Sequence, residues 1–456
     1  MLRLKQLTLL VGDLLVLYVG LYLAVLTRYL QMPQEKFLEL LGPLSQLFLL
    51  AAIIWFIAGL YDIGKAKNSW QFYQKIGISA LVWMVFGIIY FYVNPKKDVA
   101  PKTILALTAG IGFGLVSVWR FFYNKFISTT LKYNIIFAGV TPEVKELITV
   151  IQNAPQLGYF IIGVISENES EPNELVGLTV AKTIAAINEK NKTGANIIVL
   201  SPQMTARADL LKELYESLFR QVSVVNLSDF YESVMHRIPP FTFSEGWFVT
   251  NLREQEKKIY DRFRILTDYV LAVILSVFFA ATFPLVALAI KLNSRGKIFF
   301  SQNRVGRQGQ IFKVYKYRTM KSLSADGSAE TGGPQFAADK DARITGVGKF
   351  LRLTRLDEIP QFINILKGQM SVIGPRPERP EFVAQLTEKM PYYSLRHLIK
   401  PGLTGWAQIH NSYYGTIEEN LRKLEYDLFY IKNRGLALDL SIILRTINTV
   451  LRLAGR

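Results

Sequence analysis

Four apolar runs, at residues 7–26, 41–60, 76–93 and 104–122, crowd the first part of the chain. Each is near the roughly 20 residues that a helix needs to cross a bilayer. So many long apolar helices so close together exceed what a small water-soluble core can bury, and the pattern predicts an N-terminal four-helix transmembrane bundle. The first run is broken only by Asp13. It is too long and too poorly flanked for a cleaved signal peptide. Arg3 and Lys5 precede it, Lys65, Lys67 and Lys75 separate the second and third runs, and Arg120, Lys125 and Lys132 lie at or after the end of the fourth. In the loop after the first run Arg28 and Lys36 are offset by Glu35 and Glu39, while Lys96, Lys97 and Lys102 in the third loop run against the pattern. The balance places the N-terminus and everything after the fourth run on the cytoplasmic side.

A fifth apolar run, 269–290, has Pro284 inside it and basic residues on both flanks: Lys257, Lys258, Arg262 and Arg264 before, Lys291, Arg295 and Lys297 after. Proline removes one helical hydrogen bond and favours a kink. Two basic flanks and an internal proline predict a re-entrant helix, entering one leaflet and leaving by the same face. The alternative is an ordinary fifth span with a tolerated proline. Ahead of it, 241–258 mixes Trp247, Phe248 and Leu252 with Arg253, Lys257 and Lys258, and reads either as an interfacial helix or as a plain linker. The final segment, 438–453, is apolar on one face with Arg445 and Arg452 on the other, and is a second candidate for lying on a membrane.

Composition narrows the chemistry. A net charge of +17 favours anionic partners such as lipid headgroups and nucleotides. The chain has no cysteine, which excludes disulfides, Cys-ligated zinc and thiol catalysis. His236, His397 and His410 fit no metal-ligand spacing and read as structural.

Between the fourth and fifth runs, 134–140, 159–165, 195–200 and 222–226 read as short buried strands, with helical periodicity at 142–152 and 208–219. The alternation predicts a parallel sheet of Rossmann type. The first strand–helix turn lacks the pattern Gly-x-Gly-x-x-Gly, and Glu143 stands where a phosphate would approach the helix. A structural or regulatory role therefore outweighs nucleotide binding for this module.

The chemistry-bearing stretch is 351–379, LRLTRLDEIPQFINILKGQMSVIGPRPER. Asp357 and Glu358 are adjacent carboxylates between Arg352 and Arg355 on one side and Arg376 and Arg379 on the other. Leu356, Ile359 and Pro360 suit a short, partly buried helix end. Arginines around a carboxylate are expected to depress its pKa and keep it nucleophilic, and the same arginines suit phosphate oxygens, so the window points to phosphoryl transfer. Upstream, 298–318 reads as a basic hairpin around a turn at 306–309, with Arg304, Arg307, Lys313, Lys316 and Arg318 either meeting anions or forming a solvated face. The stretch 322–341 is polar and reads as a loop near the site. Downstream, KPGLTGWAQI at 400–409 offers Trp406 and Gln408; Trp406 reads either as a stacking platform for a base or sugar or as a core anchor.

FKVYKYRTM (312–320), LRLTRLDEIP (351–360), LKGQMSVIGPRPER (366–379) and KPGLTGWAQI (400–409) together resemble the bacterial polyprenyl-phosphate phosphoglycosyltransferases of the large monotopic form. The resemblance covers essentially the whole chain. It implies four transmembrane helices at 1–128, a Rossmann-like α/β domain at 129–240, an interfacial linker at 241–262, a re-entrant helix at 263–292 and an α/β catalytic domain at the membrane surface at 293–456. The implied activity moves a sugar 1-phosphate, glucose or galactose by default, from a UDP-sugar to undecaprenyl phosphate, releasing UMP and starting exopolysaccharide or O-antigen synthesis. By resemblance Asp357 is the nucleophile and a Mg2+ ligand, Glu358 assists it, and Pro375, Arg376 and Pro377 form the uridine-site element. Lys316, Arg318, Arg352, Arg355, Arg379, Trp406 and Gln408 complete the expected substrate contacts. Family members often carry Ser before the membrane proline; here Phe283 precedes Pro284 and Thr282 lies one residue earlier. Membrane lipids are expected partners, nucleic acid is not, a homodimer is plausible, and the expected location is the bacterial inner membrane. Competing readings are a membrane-anchored nucleotide sensor, an inactive scaffold of an assembly complex, and a membrane-bound sugar-nucleotide dehydratase, which the missing glycine fingerprint disfavours.

Overall fold

The computed structural model describes residues 2–30, 33–65, 68–94, 102–127, 132–166, 177–191, 194–240, 245–252, 257–321, 343–390, 392–410 and 416–451. The polar stretch 322–341, Arg452, Lys67, Lys96, Lys97 and Arg253 lie outside these residues. The chain divides into two compact units, Met1–Phe230 and Tyr231–Arg456.

The first unit begins with α1 (Leu2–Tyr29), α2 (Gln34–Ile57), α3 (Trp70–Val93) and α4 (Lys102–Phe126), each long and apolar enough to cross a membrane. They share one core, in which Leu17, Leu21, Phe48, Trp55, Trp83 and Phe113 are buried. Leu15, Ile53, Leu81, Val85 and Phe122 point outward and are exposed. Helices apolar on both faces suit a hydrocarbon surround. Within α4, residues Thr108–Gly112 form a π turn, and Gly20 of α1 crosses there so closely that a Cβ on it would overlap Gly112 Cα.

Asp13 and Arg120 explain each other. The carboxylate and guanidinium meet at 2.6 Å with both side chains fully buried, and Arg120 also donates to the Leu60 carbonyl at 2.8 Å. The expected topology-setting role of Arg120 is thus corrected: it is a core ion pair, over the rings of Trp55, Tyr61 and Phe72.

The same unit continues into β1 (Tyr133–Ala138), α5 (Pro142–Asn153), β2 (Tyr159–Ile165), β3 (Thr179–Ala181), α6 (Ile184–Asn191), β4 (Ile197–Leu200), α7 (Ala208–Leu218) and β5 (Ser223–Asn226). The sheet is parallel throughout, in the order β3-β2-β1-β4-β5. Strand β3 escapes the sequence reading because three half-buried residues carry no period. Folds of this order hold ligands outside the carboxyl ends of the central strands. Here Gly139, just past β1, packs against the buried Ser201 and Met204, whose side chains fill that position. This filling favours the structural role of the module. Lys5 Nζ donates to the carbonyls of Gln156 and Leu157 at 3.4 Å, and Gln156 Nε2 donates to Gly64 O at 2.9 Å, so helix and sheet layers are joined by polar contacts.

In the second unit α8 (Glu245–Asn251) buries Phe248 against Tyr392, and α9 (Lys258–Asn293) follows. An antiparallel hairpin follows, β6 (Phe299–Val305) with β7 (Ile311–Tyr317), registered from Phe299↔Tyr317 to Val305↔Ile311. Then come α10 (Gly346–Leu353), a 3-10 turn at Leu356–Gln361, α11 (Phe362–Leu366), β8 (Ser371–Ile373), α12 (Pro380–Lys389), β9 (Gly402–Thr404), α13 (Trp406–His410), α14 (Ile417–Asn433) and α15 (Leu436–Leu451). Strand β8 pairs parallel with β9.

Helix α9 is continuous across Pro284. Thr282, two residues before the proline, donates its hydroxyl to Phe278 O at 2.8 Å. Ile265, Leu266, Val270, Val273, Val277 and Leu285 leave one side of α9 apolar and exposed. Its other side is fastened to the unit from end to end. Arg264 donates to Ser371 Oγ at 3.1 Å and to the Ile373 carbonyl. Asp268 accepts from Ser371 Oγ and Val372 N at 2.9 and 2.8 Å. Phe279 stacks on Tyr317, Phe283 stacks on Phe299, and Ile290 is buried with Tyr317 and Leu351. Helix α15 does not lie free either: Ile442 is fully buried, Thr446 bonds Thr404 at 2.7 Å, and Arg445 lies over Trp406.

Asp13→Ala strands a buried guanidinium and is expected to cost about 3–5 kcal/mol, whereas Asp13→Leu with Arg120→Leu recovers most of that. Thermal midpoints of the purified variants in one detergent check the ordering.

Candidate active site

The acid pair stands where three chain segments meet. Helix α10 enters with Thr345 capping it, its Oγ1 accepting from Gly348 N at 2.9 Å. Gly348 lies flat on the backbone of Thr319, and a Cβ there would overlap the Thr319 carbonyl. That contact sets α10 against the end of β7. Arg355 then takes a left-handed conformation, φ 59°, and breaks the helix into the 3-10 turn that carries Asp357 and Glu358. The expected short, buried helix end is therefore a 3-10 turn, with both carboxylates less than a tenth exposed. Asn364 holds the turn to the hairpin: its Nδ2 donates to Lys313 O at 2.7 Å and its Oδ1 accepts from Tyr315 N at 3.2 Å.

The cations converge on Glu358. Lys316 Nζ lies 2.7 Å and Arg376 Nη2 2.9 Å from Oε1, and Arg355 Nη1 is 3.4 Å from Oε2. Burial alone would raise this carboxyl, but Arg376, Lys316 and Arg355 hold it well below the usual carboxylate range. Asp357 is different. Its Oδ1 is buried without a hydrogen-bond partner. Burial first, and the charge on Glu358 second, push its pKa up to about 6 against the pull of Lys316, Arg352 and Arg376. The expectation that arginines depress the pKa of Asp357 is corrected: burial and Glu358 outweigh their pull on it, while Glu358, to which the cations bond, is held low.

Behind the Gly-Pro-Arg-Pro turn lies a second buried charge cluster. Burial would raise Glu378, yet Lys423, Arg396 and Arg304 bring it down to about 2. Arg396 also pairs with Asp427 at 2.9 Å and donates to the Arg376 carbonyl at 2.8 Å, fixing the turn from below. Pro375 and Pro377 are buried, Pro375 O accepting from Gly402 N at 2.9 Å and Pro377 O from Arg304 Nη1 at 3.2 Å. A Cβ on Gly402 would overlap Gly374 N, so the two turns pack backbone on backbone.

Other expected site residues turn elsewhere. Arg318 donates to Ser294 O and Arg295 O at 2.7 and 2.8 Å, closing the carboxyl end of α9 instead of facing substrate. Those carbonyls have no helical partner and take a cation readily. Trp406 is 4% exposed, its ring covered by Phe429, His410 and Arg445 and its Nε1 donating to His236 O at 3.0 Å. It is the core anchor, with no face free to stack a base. Gln408 donates to Leu403 O at 3.2 Å, and Arg379 lies over Phe382 and 3.4 Å from Glu381. Arg352 donates to Thr319 Oγ1 at 2.9 Å and acts on Asp357 through its charge. Sequence reasoning missed Asn364, Glu378, Arg396 and Thr319. A lone amide inside FINIL and an acid inside PRPER were the available signals.

Among the described residues no cluster of three or more His, Asp or Glu side chains converges on a metal position. The unpartnered Asp357 oxygen still fits Mg2+, which takes one or two carboxylates and fills its remaining positions with water and substrate phosphate.

A folded pKa near 6 against an ordinary value of 3.8 means that the folded chain binds more protons between those limits. Stability then falls as pH rises through that window, by roughly 3 kcal/mol in all for this buried group. Asp357→Asn should therefore raise the melting temperature at pH 8 in chelator-containing buffer, and the gain should shrink toward pH 4; calorimetry at the two pH values checks the sign. Trp406→Phe should lower the melting temperature and leave the KM for any nucleotide-linked substrate unchanged.

Residues 259–453 match the profile of a family described as bacterial sugar transferase. The chain is 45% identical over 184 residues to UDP-N-acetylgalactosamine-undecaprenyl-phosphate N-acetylgalactosaminephosphotransferase of Aeromonas hydrophila, covering 40% of this chain and 42% of the relative. It is 32% identical over 333 residues to UDP-glucose:undecaprenyl-phosphate glucose-1-phosphate transferase of Klebsiella pneumoniae, covering 69% of this chain and 67% of the relative. It is 28% identical over 340 residues to undecaprenyl-phosphate galactose phosphotransferase of Salmonella typhimurium, covering 71% and 69%. The chain thus spans less than half the length of the Aeromonas protein and about two thirds of the other two.

Proposed function

This chain belongs to the bacterial sugar transferase family, and on that premise we propose that it transfers a sugar 1-phosphate from a UDP-sugar to undecaprenyl phosphate. The supporting observation is the division of labour in the acid pair. Glu358 is bonded to three cations, while Asp357 keeps an oxygen without a partner.

In this reading an Asp357 oxygen attacks the β-phosphorus of the donor. The bond from that phosphorus to the bridging oxygen breaks, and UMP departs with the electron pair. A phosphate oxygen of undecaprenyl phosphate then attacks the phosphosugar–aspartate, and the carboxylate leaves. Lys316 and Arg376 sit where developing phosphate charge would be met. Glu358 keeps those cations in place and so acts by positioning. Mg2+, held at Asp357 and the donor phosphates, would supply charge neutralisation when bound. The relatives' names carry N-acetylgalactosamine, glucose and galactose, so all three UDP-sugars belong in the assay.

Membrane placement follows the same logic. At about 1.5 Å per residue, the stretch from Arg264 to Ile290 would measure roughly 39 Å if straight, more than a hydrocarbon core. Both ends bind one compact unit. A helix crossing the bilayer would carry its ends to opposite sides. We therefore read α9 as re-entrant, bending at Pro284 in the bilayer and holding the catalytic residues at headgroup height on the cytoplasmic face of the inner membrane.

UMP release from the three UDP-sugars with undecaprenyl phosphate should occur for at least one donor, and Asp357→Asn should abolish it and the radiolabelled phosphosugar adduct. An adduct persisting in that variant would remove Asp357 as nucleophile. The chain has no cysteine, so single cysteines at Ile259 and Arg295 report cleanly on topology. Impermeant maleimide should label both from the cytoplasmic side; labelling from opposite sides would sink the re-entrant reading.

A further inference from the structure

We propose that the second unit carries a separate phosphate-binding site, formed by Lys258, Arg307 and Lys400 at the first turn of α9. A cavity of about 330 Å³ opens there, bounded also by Asp261, Arg264 and Asp268. A second cavity of about 400 Å³ lies along the β6–β7 turn and shares Arg307 and Lys400 with the first. Neither is lined by Asp357 or Glu358.

The charges in the first cavity do not cancel. Asp261 is taken by an ion pair with Arg434. Asp268 accepts from Ser371 and Val372, and Arg264 donates to Ser371 and Ile373. What remains is Lys258, Arg307 and Lys400, whose side chains make no hydrogen bond and no ion pair among the described residues. Arg307 and Lys400 stand near enough to repel: burial lowers the pKa of Lys400 first, and after the opposing pull of Asp268, Arg307 lowers it further. Three cations face two carboxylates that are already bonded elsewhere, and the excess positive charge forms a site for an anion. A guanidinium fork beside two ammonium groups suits the oxygens of a phosphate mono- or diester.

The surroundings bear on the source of that phosphate. Ile265, Leu398 and Ile399 line the same cavity, and Ile259 and Leu266 are exposed beside it on α9. The charged mouth therefore lies where an apolar helix begins, which is the level of lipid headgroups. Its lining excludes the acid pair, and the β6–β7 turn lies five residues along β7 from Lys316, roughly 17 Å of extended backbone at about 3.3 Å per residue. The site requires no catalytic step and stands whether or not the proposed transfer is correct.

Full-length protein in phosphatidylcholine nanodiscs is titrated calorimetrically with dihexanoyl phosphatidic acid in one arm and inorganic phosphate in the other. Saturable binding is expected in at least one arm, weakened about tenfold or more by Arg307→Gln with Lys400→Gln and kept by Arg307→Lys with Lys400→Arg. A response to phosphatidic acid assigns a lipid headgroup; a response to inorganic phosphate alone assigns a soluble phosphate. Lys212→Gln with Lys389→Gln removes the same charge from exposed positions elsewhere and should leave binding unchanged. Absence of saturable binding in both arms, or equal loss in the two glutamine pairs, overturns the proposal.

Discussion

Glu358 is the knot of the second unit. Its carboxylate joins Lys316 from β7, Arg355 from the break after α10 and Arg376 from the Gly-Pro-Arg-Pro turn. These segments are distant in sequence and would repel one another as bare cations. A buried carboxylate with several charge-assisted bonds is stable only when the geometry is complete, so the three arrive together or not at all. The neighbouring aspartate gains from this arrangement what it lacks in partners. With the cations committed to Glu358, Asp357 is left buried, with an oxygen that has no partner, and unfavourable to ionise. Strain of this kind is a known feature of sites tuned for chemistry at the expense of stability.

A second layer of charge supports the first. Glu378, Lys423, Arg304, Arg396 and Asp427 sit behind the proline turn and pair with one another. Arg396 reaches the backbone of Arg376, so the guanidinium that holds Glu358 is itself held from the rear. The membrane-facing helix uses the same device at both ends, with Arg264 and Asp268 near its start and Arg318 over its final carbonyls.

Local pattern made much of this legible. The apolar runs foretold α1 to α4 and α9 because length and hydropathy are properties of the segment itself. Three of the five parallel strands carried enough buried residues to be read along most of their length, and the half-exposed β5 was read in sequence as well. The acid pair and its arginines were visible as a cluster, but the partner of each was not. Which of two adjacent carboxylates receives the cations follows from where Lys316 and Arg376 arrive in the fold, which composition does not encode. Arg318 and Trp406 looked functional because they sit inside dense motifs; each is drawn away by a stronger tertiary partner, the end of α9 and the stack on Phe429. Asp13 and Arg120 lie 107 residues apart, and only the packed helices bring them into contact.

The grip of Arg318 on the end of α9 has a mechanical side. Two residues before it, near the end of β7, Lys316 reaches Glu358. The end of α9 and the ammonium group in the charge cluster are therefore linked through one guanidinium and a few ångströms of backbone. The outermost apolar helix of this unit and its buried acid pair thus share one short run of backbone, anchored at each end by a cation.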